Sequence, residues 1–220
     1  MKLGPYELDQ IYTGDAHQLA PAIPDESVDL IFTDPVYQNI DDYRWLAETA
    51  ARVLKPDSAC LVWCGIGYLP ETLRALQVDG LRYRWQLIAG RPIGFPSQYC
   101  QQNTFSNYQS LLWLEKGKGF PLAAISDLVF SNDSSGMMYH PEWGKNINPF
   151  RHYLSRFVLD GAIILDPFCG GGTVPAVCKM LGRHWLAFEI DPQVAERARL
   201  RVLETQPPLF IPEPEQLALV

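Results

Sequence analysis

With 220 residues, 47% of them hydrophobic and 20% charged, the chain has the size and composition of one soluble α/β domain, or one domain with a small appendage. A formal charge of -7 and a pI near 5.1 weigh against a broadly basic nucleic-acid binder and leave room only for a local basic groove. There is no run of roughly 20 apolar residues, no signal-peptide core in the polar segment 1–10, and no CxxC pair among five cysteines, so the expectation is a cytoplasmic protein with reduced thiols and no metal site.

Residues 27–33 (Ser-Val-Asp-Leu-Ile-Phe-Thr) form a short apolar run typical of a buried parallel strand, and Pro35 stops it. A helix is predicted over 41–54, where Trp45, Leu46, Thr49, Ala50 and Val53 share one face and Lys55-Pro56 ends the pattern. Strand 59–65 and helix 70–77 follow, then strands at 83–89 and 109–114. Segments 90–108 and 117–148 read as irregular, although 123–131 could hold a strand or a helical turn. Order resumes with helix 150–158, strand 162–165, helix 173–181, strand 185–190 and helix 192–203. The expected organisation is a single domain over 1–205 with a proline-containing tail over 206–220. Strands that alternate with helices imply a mostly parallel sheet covered on both faces.

The stretch Ile163-Ile164-Leu165-Asp166-Pro167-Phe168-Cys169-Gly170-Gly171-Gly172-Thr173 takes a buried strand through a glycine-rich turn into a helix. Glycines let the backbone bend sharply and approach a ligand closely. The next strand ends at Glu189, 19 positions after Gly170, near the spacing of about 20 expected for an acid that grips ribose hydroxyls. No Lys follows the glycines as it would in a P-loop. Asp166 at the strand end would repel a pyrophosphate but suits the cationic sulfonium and ammonium of S-adenosylmethionine.

Asp34-Pro35-Val36-Tyr37 ends another buried strand, on the same edge if the two strands are parallel. The exocyclic amine of adenine or cytosine is a poor nucleophile because its lone pair is delocalised into the ring. A carboxylate from Asp34 and the carbonyl of Pro35 can each accept one N–H bond and favour a pyramidal nitrogen. Tyr37 offers a flat face for a flipped base. No Pro-Cys dipeptide is present to attack a cytosine C5 position.

These motifs resemble those of the DNA amino-methyltransferases, the adenine-N6 and cytosine-N4 enzymes, in their beta group, where the catalytic motif precedes the cofactor motif. Asp34-Pro35-Val36-Tyr37 is similar to the family's Asp-Pro-Pro-Tyr, and Asp166 to Thr173 matches its Asp-Pro-Phe-x-Gly-x-Gly-Thr. Gly14-Asp15 looks like the early Gly-Asp used near the cofactor adenine, and Glu189 stands where the family keeps its ribose-binding acid. His140-Pro141 and Asn148-Pro149 are loosely like its His-Pro and Lys-Pro pair. The resemblance runs from about Tyr12 to Leu203; Val36 in place of the second Pro and Asn148 in place of Lys depart from it.

The resemblance implies a Rossmann-like fold with permuted motif order that binds S-adenosylmethionine through Asp15, Asp166, Phe168, Gly170, Gly172, Thr173 and Glu189. It implies catalysis through Asp34, Pro35 and Tyr37 on DNA, with adenine N6 favoured because the motif begins with Asp rather than Ser. Tyr99, Gln101, Gln102, Asn103 and Tyr108 are candidates for base contacts. Arg82, Arg84, Arg91, Lys116, Lys118 and Lys145 are candidates for a basic surface. The four histidines (His17, His140, His152 and His184) show no catalytic pairing, and the small size is compatible with a homodimer. Three alternatives stay open: an RNA or protein-amide methyltransferase, a catalytically impaired cofactor-binding subunit, and a nicotinamide oxidoreductase.

Overall fold

The computed structural model describes residues 1–96, 105–119, 121–130 and 147–206. A hairpin of β1 (Lys2–Leu3) and β2 (Tyr6–Glu7) opens the chain. Then come β3 (Gln10–Thr13), α1 (Ala16–Leu19), β4 (Val28–Thr33), α2 (Ile40–Val53), β5 (Leu54–Cys64) and α3 (Leu69–Ala75). The long strands β6 (Arg82–Pro96) and β7 (Phe105–Lys116) precede β8 (Leu128–Phe130) and α4 (Ile147–Phe157). The last part alternates strand and helix: β9 (Ile163–Asp166), α5 (Thr173–Met180), β10 (His184–Glu189) and α6 (Pro192–Glu204).

Eight strands form one sheet in the order β3-β10-β9-β4-β5-β7-β6-β8. Strand β7 runs antiparallel to both its neighbours, and every other adjacent pair is parallel. Strand alternation divides the core between the two faces. Ile31, Cys60, Val62 and Leu165 pack with Tyr43, Leu46, Ala50 and Val53 of α2 on one side. Leu30, Phe32, Leu61 and Ile164 meet Leu154 of α4, Val177 of α5 and Ala198 of α6 on the other. Covered on both sides, β4 and β9 can bury successive apolar residues, which is why Leu30-Ile31-Phe32 and Ile163-Ile164-Leu165 read as unbroken hydrophobic runs.

The connection from β9 through α5 leads to β10, and that from β4 through α2 leads to β5, in opposite directions along the sheet. The chain therefore reverses between neighbours β9 and β4, and ligands of open α/β sheets bind at such a switch point, beyond the carboxyl ends of the strands.

The α/β class and the later helices agree with the sequence expectations to within a few residues. Two differences stand out, and one open expectation is met. Strands β1, β2 and β3 lie in a region for which no strand was expected, because pieces of two to four residues with one buried position each leave no periodic signal. Segment 90–108 is strand at both ends, since β6 continues to Pro96 and β7 starts at Phe105. Segment 123–131 does hold a strand, β8. The tail from 207 onward lies outside the described residues.

Candidate functional site

The predicted site residues come from four adjacent strand ends. Asp15 follows β3, Glu189 closes β10, Asp166 closes β9 and Asp34 follows β4, all at the carboxyl edge of the sheet. Across the switch point, the Thr33 hydroxyl donates to Asp166 Oδ1 at 2.7 Å, a bond between residues 133 apart in sequence. Asp166 is only 2% exposed and also receives the Phe168 N–H at 3.4 Å, so its carboxylate holds both the neighbouring strand and its own loop.

In the glycine loop, Gly170 has φ +48°, and a Cβ added there would meet nothing within 4 Å. Left-handed backbone beside open space is a ledge on which a ligand can lie against the main chain. Glu189 borders it, with Oε2 accepting the Gly170 N–H at 2.9 Å and Oε1 the Asp191 N–H at 2.9 Å. Each oxygen keeps a second lone pair, so the carboxylate is fixed yet still able to accept two hydroxyls. The Gly14 N–H bonds the Glu189 carbonyl at 2.9 Å, which brings Asp15 alongside, where one of its oxygens caps α1 through the His17 N–H at 2.9 Å. Gly172 and Thr173 sit behind the loop: Gly172 is packed on Ala198 of α6, and Arg201 donates to the Thr173 hydroxyl at 2.8 Å and the Gly171 carbonyl at 3.0 Å. The local field is negative. Burial, then the charges of Asp166 and Glu189, push the Cys169 thiol well above its ordinary range.

On the other half, Pro35 is buried, Asp34 half-buried with its Oδ1 shielded from solvent, and Val36 67% exposed. Tyr37 lies against the end of β5. A Cβ on Gly65 would fall 2.9 Å from its ring, and Gln109 of β7 reaches its hydroxyl at 3.4 Å. The arrangement sets a carboxylate and a partly exposed aromatic ring beside the glycine loop.

Comparison with known proteins supplies the identification. The N6/N4 methyltransferase family model, described as DNA methylase, matches residues 28–199, which include both the Asp34 turn and the glycine loop. The chain belongs to the DNA methylase family. The chain is 28% identical to the type II methyltransferase M.BamHI of Bacillus amyloliquefaciens, over 89% of its own length and 57% of that protein's. With M.BglII of Bacillus subtilis the identity is 24%, over 91% and 70% of the respective chains. It thus spans little more than half of the first of these relatives. Among solved structures, the M1.HpyAVI complex with S-adenosylmethionine superposes with a TM-score of 0.72 at 22% identity, covering 88% of this chain and 98% of that one. The cytosine-N4-specific PvuII DNA methyltransferase gives 0.72 at 19%, covering 87% and 85%. These neighbours share the Rossmann-like fold.

Strand register decides which edge of the sheet receives the candidates for a basic surface. Register pairs Lys116 with Ser58, and Glu115 with both Ala59 and Arg82, at the amino-terminal ends of β5 and β6, away from Asp34. Arg82 and Arg84 face the buried Glu115, and Lys116 bonds the Leu54 carbonyl and Glu26. Arg82, Arg84, Lys116 and Lys118 therefore do not flank the edge that carries Asp34. The side chains of Arg91 and Lys145, and residues Tyr99, Gln101, Gln102, Asn103, His140 and Pro141, lie outside the described set. Of the histidines, His17 pairs with Asp42 and His184 with Asp9. Sequence reasoning also missed Gly65, Gln109 and Ile190. Ile190, directly after Glu189, is 69% exposed.

Proposed function

We propose that the methylase transfers a methyl group from S-adenosylmethionine to an exocyclic amine of a DNA base, with adenine N6 as the preferred acceptor. The observation that carries this reading is the Thr33–Asp166 bond, which sets the Asp34 turn beside the glycine loop at the switch point. The Gly170 ledge, the fixed Glu189 carboxylate, the bare Ile190 and the negative surroundings fit a cationic ligand that bears a ribose. Glu189 would hold the ribose hydroxyls, Ile190 would cover one face of the adenine, and Asp15 would bound the far side. When bound, S-adenosylmethionine supplies an electrophilic methyl group on its sulfonium.

The protein's own part is to bind and orient. Asp34 and the Pro35 carbonyl accept the two N–H bonds of the amine and aim its lone pair at the methyl group. Tyr37, seated on Gly65, stacks on the extruded base, a contact worth about 1–3 kcal/mol. No nucleophile of the protein takes part.

Mass-spectrometric nucleoside analysis of DNA from cells that express the protein tests the reading, with N6-methyladenine as the expected product. N4-methylcytosine would move the specificity to cytosine, and methyl groups found only in RNA or protein would overturn the DNA assignment. Asp34→Ala should lower methyl incorporation by about 100-fold or more, in line with the loss of a preorganised transition-state contact. Binding of the cofactor analogue sinefungin, followed by calorimetry, should persist in that variant.

A further inference from the structure

A small polar and aromatic junction ties the two halves of this edge together. His17, two residues after Asp15 on α1, lays its ring on Trp45 of α2, with centroids 4.3 Å apart and planes within 7°. Its Nε2 lies 3.0 Å from Asp42 Oδ1. The second Asp42 oxygen accepts from the Asn39 side-chain amide at 2.8 Å, and the Asn39 N–H bonds the Val36 carbonyl at 3.0 Å, inside the catalytic turn. Trp45 also meets Phe168 of the glycine loop edge-on at 5.6 Å.

The turn needs such a fixture. Val36 stands where a proline would freeze φ, and at 67% exposure it contributes little packing. Residues 34–39 between β4 and α2 have no regular structure, so their geometry depends on the seat of Tyr37 against Gly65 and on what grips the two ends. One end is anchored by the Thr33–Asp166 bond, the other by Asn39 and Asp42. The His17 and Asp42 side chains are 40% and 15% exposed, and pairs this accessible add little to folding stability.

We infer that His17 and Asp42 are positioning residues that fix the catalytic turn against the cofactor side, His17 through its hydrogen bond to Asp42 and Asp42 through Asn39. The inference rests on the reading of Asp34 to Tyr37 as the base-binding turn. It treats the junction as one unit whose parts act in series, not as separate contacts.

The test uses the full chain, tritiated S-adenosylmethionine and PCR-amplified genomic DNA, which carries neither N6-methyladenine nor N4-methylcytosine. His17→Phe keeps a ring on Trp45 and removes the hydrogen bond; Asp42→Ala removes the acceptor for both partners. Each should lower kcat by about tenfold, as expected for a misplacement of an ångström or less, and leave the Kd for sinefungin within about threefold. The double variant should be no slower than the slower single one, because the two act through one link. Asp42→Asn, whose amide oxygen can accept from Asn39 while its NH2 donates to Nε2 of the other His17 tautomer, should recover most of the rate. A kcat within about twofold of the parent in His17→Phe, losses that multiply in the double variant, or a loss confined to sinefungin affinity would each overturn the inference. Should Asp42→Ala fail to fold, His17→Phe and Asp42→Asn carry the comparison. Asp34→Ala in the same assay separates the two readings: full activity there removes the base-binding role of the turn, whereas loss there beside normal His17→Phe rates removes the junction alone.

Discussion

A Cβ placed on Gly172 would stand 3.0 Å from the Cβ of Ala198, whereas one placed on Gly170 meets nothing within 4 Å. Both residues have positive φ, +73° and +48°, so alanine at either costs about 1–2 kcal/mol of backbone strain. At Gly172 the methyl group must also push α6 away, which adds about 1–3 kcal/mol. At Gly170 the methyl group would stand on the ledge assigned to the cofactor. Gly172→Ala should therefore show the larger drop in urea-unfolding free energy, and Gly170→Ala the larger loss of sinefungin affinity, about tenfold or more. Equal stability losses, or undisturbed binding in Gly170→Ala, would contradict this division of labour.

Helix α6 shapes the glycine loop from behind. Asp191 caps it through the Gln193 and Val194 N–H groups at 2.7 and 3.2 Å, and from its last turn Arg201 holds the loop's Gly171 carbonyl and Thr173 hydroxyl. Burial lowers the Arg201 pKa from its ordinary value. Arg201→Met keeps the stem and removes both bonds, which should cost about 1–3 kcal/mol in urea unfolding and weaken sinefungin binding. Arg201→Lys, a point charge on a flexible stem, should restore part of each loss. Unchanged binding in the Met variant would separate α6 from the loop. This support could not be read from sequence, because Arg201 lies 30 positions from Gly171 and looks like any arginine on a helix. The loop itself was legible. An apolar run, a glycine cluster and a helix in direct succession leave little choice of conformation, and the Asp34 turn likewise follows its strand immediately. His17, Asp42, Gly65 and Gln109 were not legible as site residues, since only the crossing of β5 and β7 and the packing of α1 on α2 bring them there. Which edge carries the basic residues was not legible for a related reason: composition counts charges, but strand direction decides where they fall.

At the scale of the whole molecule, acidity should weaken the fold through a histidine on α4. His152 lies on α4, and its Nε2 is shielded from solvent with no hydrogen-bond partner among the described residues. Burial, then the neighbouring Arg156 charge, lowers its pKa to about 4, against an ordinary 6.5. The sign follows from which state binds the proton. Between pH 6.5 and 4 the unfolded chain protonates this imidazole and the native chain does not, so each step down in pH favours unfolding. Above pH 6.5 both states hold it neutral and the contribution is flat. The urea midpoint should therefore fall from pH 7 through 5.5 to 4.5, more steeply in the parent than in His152→Phe, which keeps an aromatic ring beside Tyr153 and has no proton to gain. Part of the slope should survive in the variant, because other groups also titrate in this range. Identical slopes in the two proteins would mean that His152 takes up its proton in the native state as readily as in water.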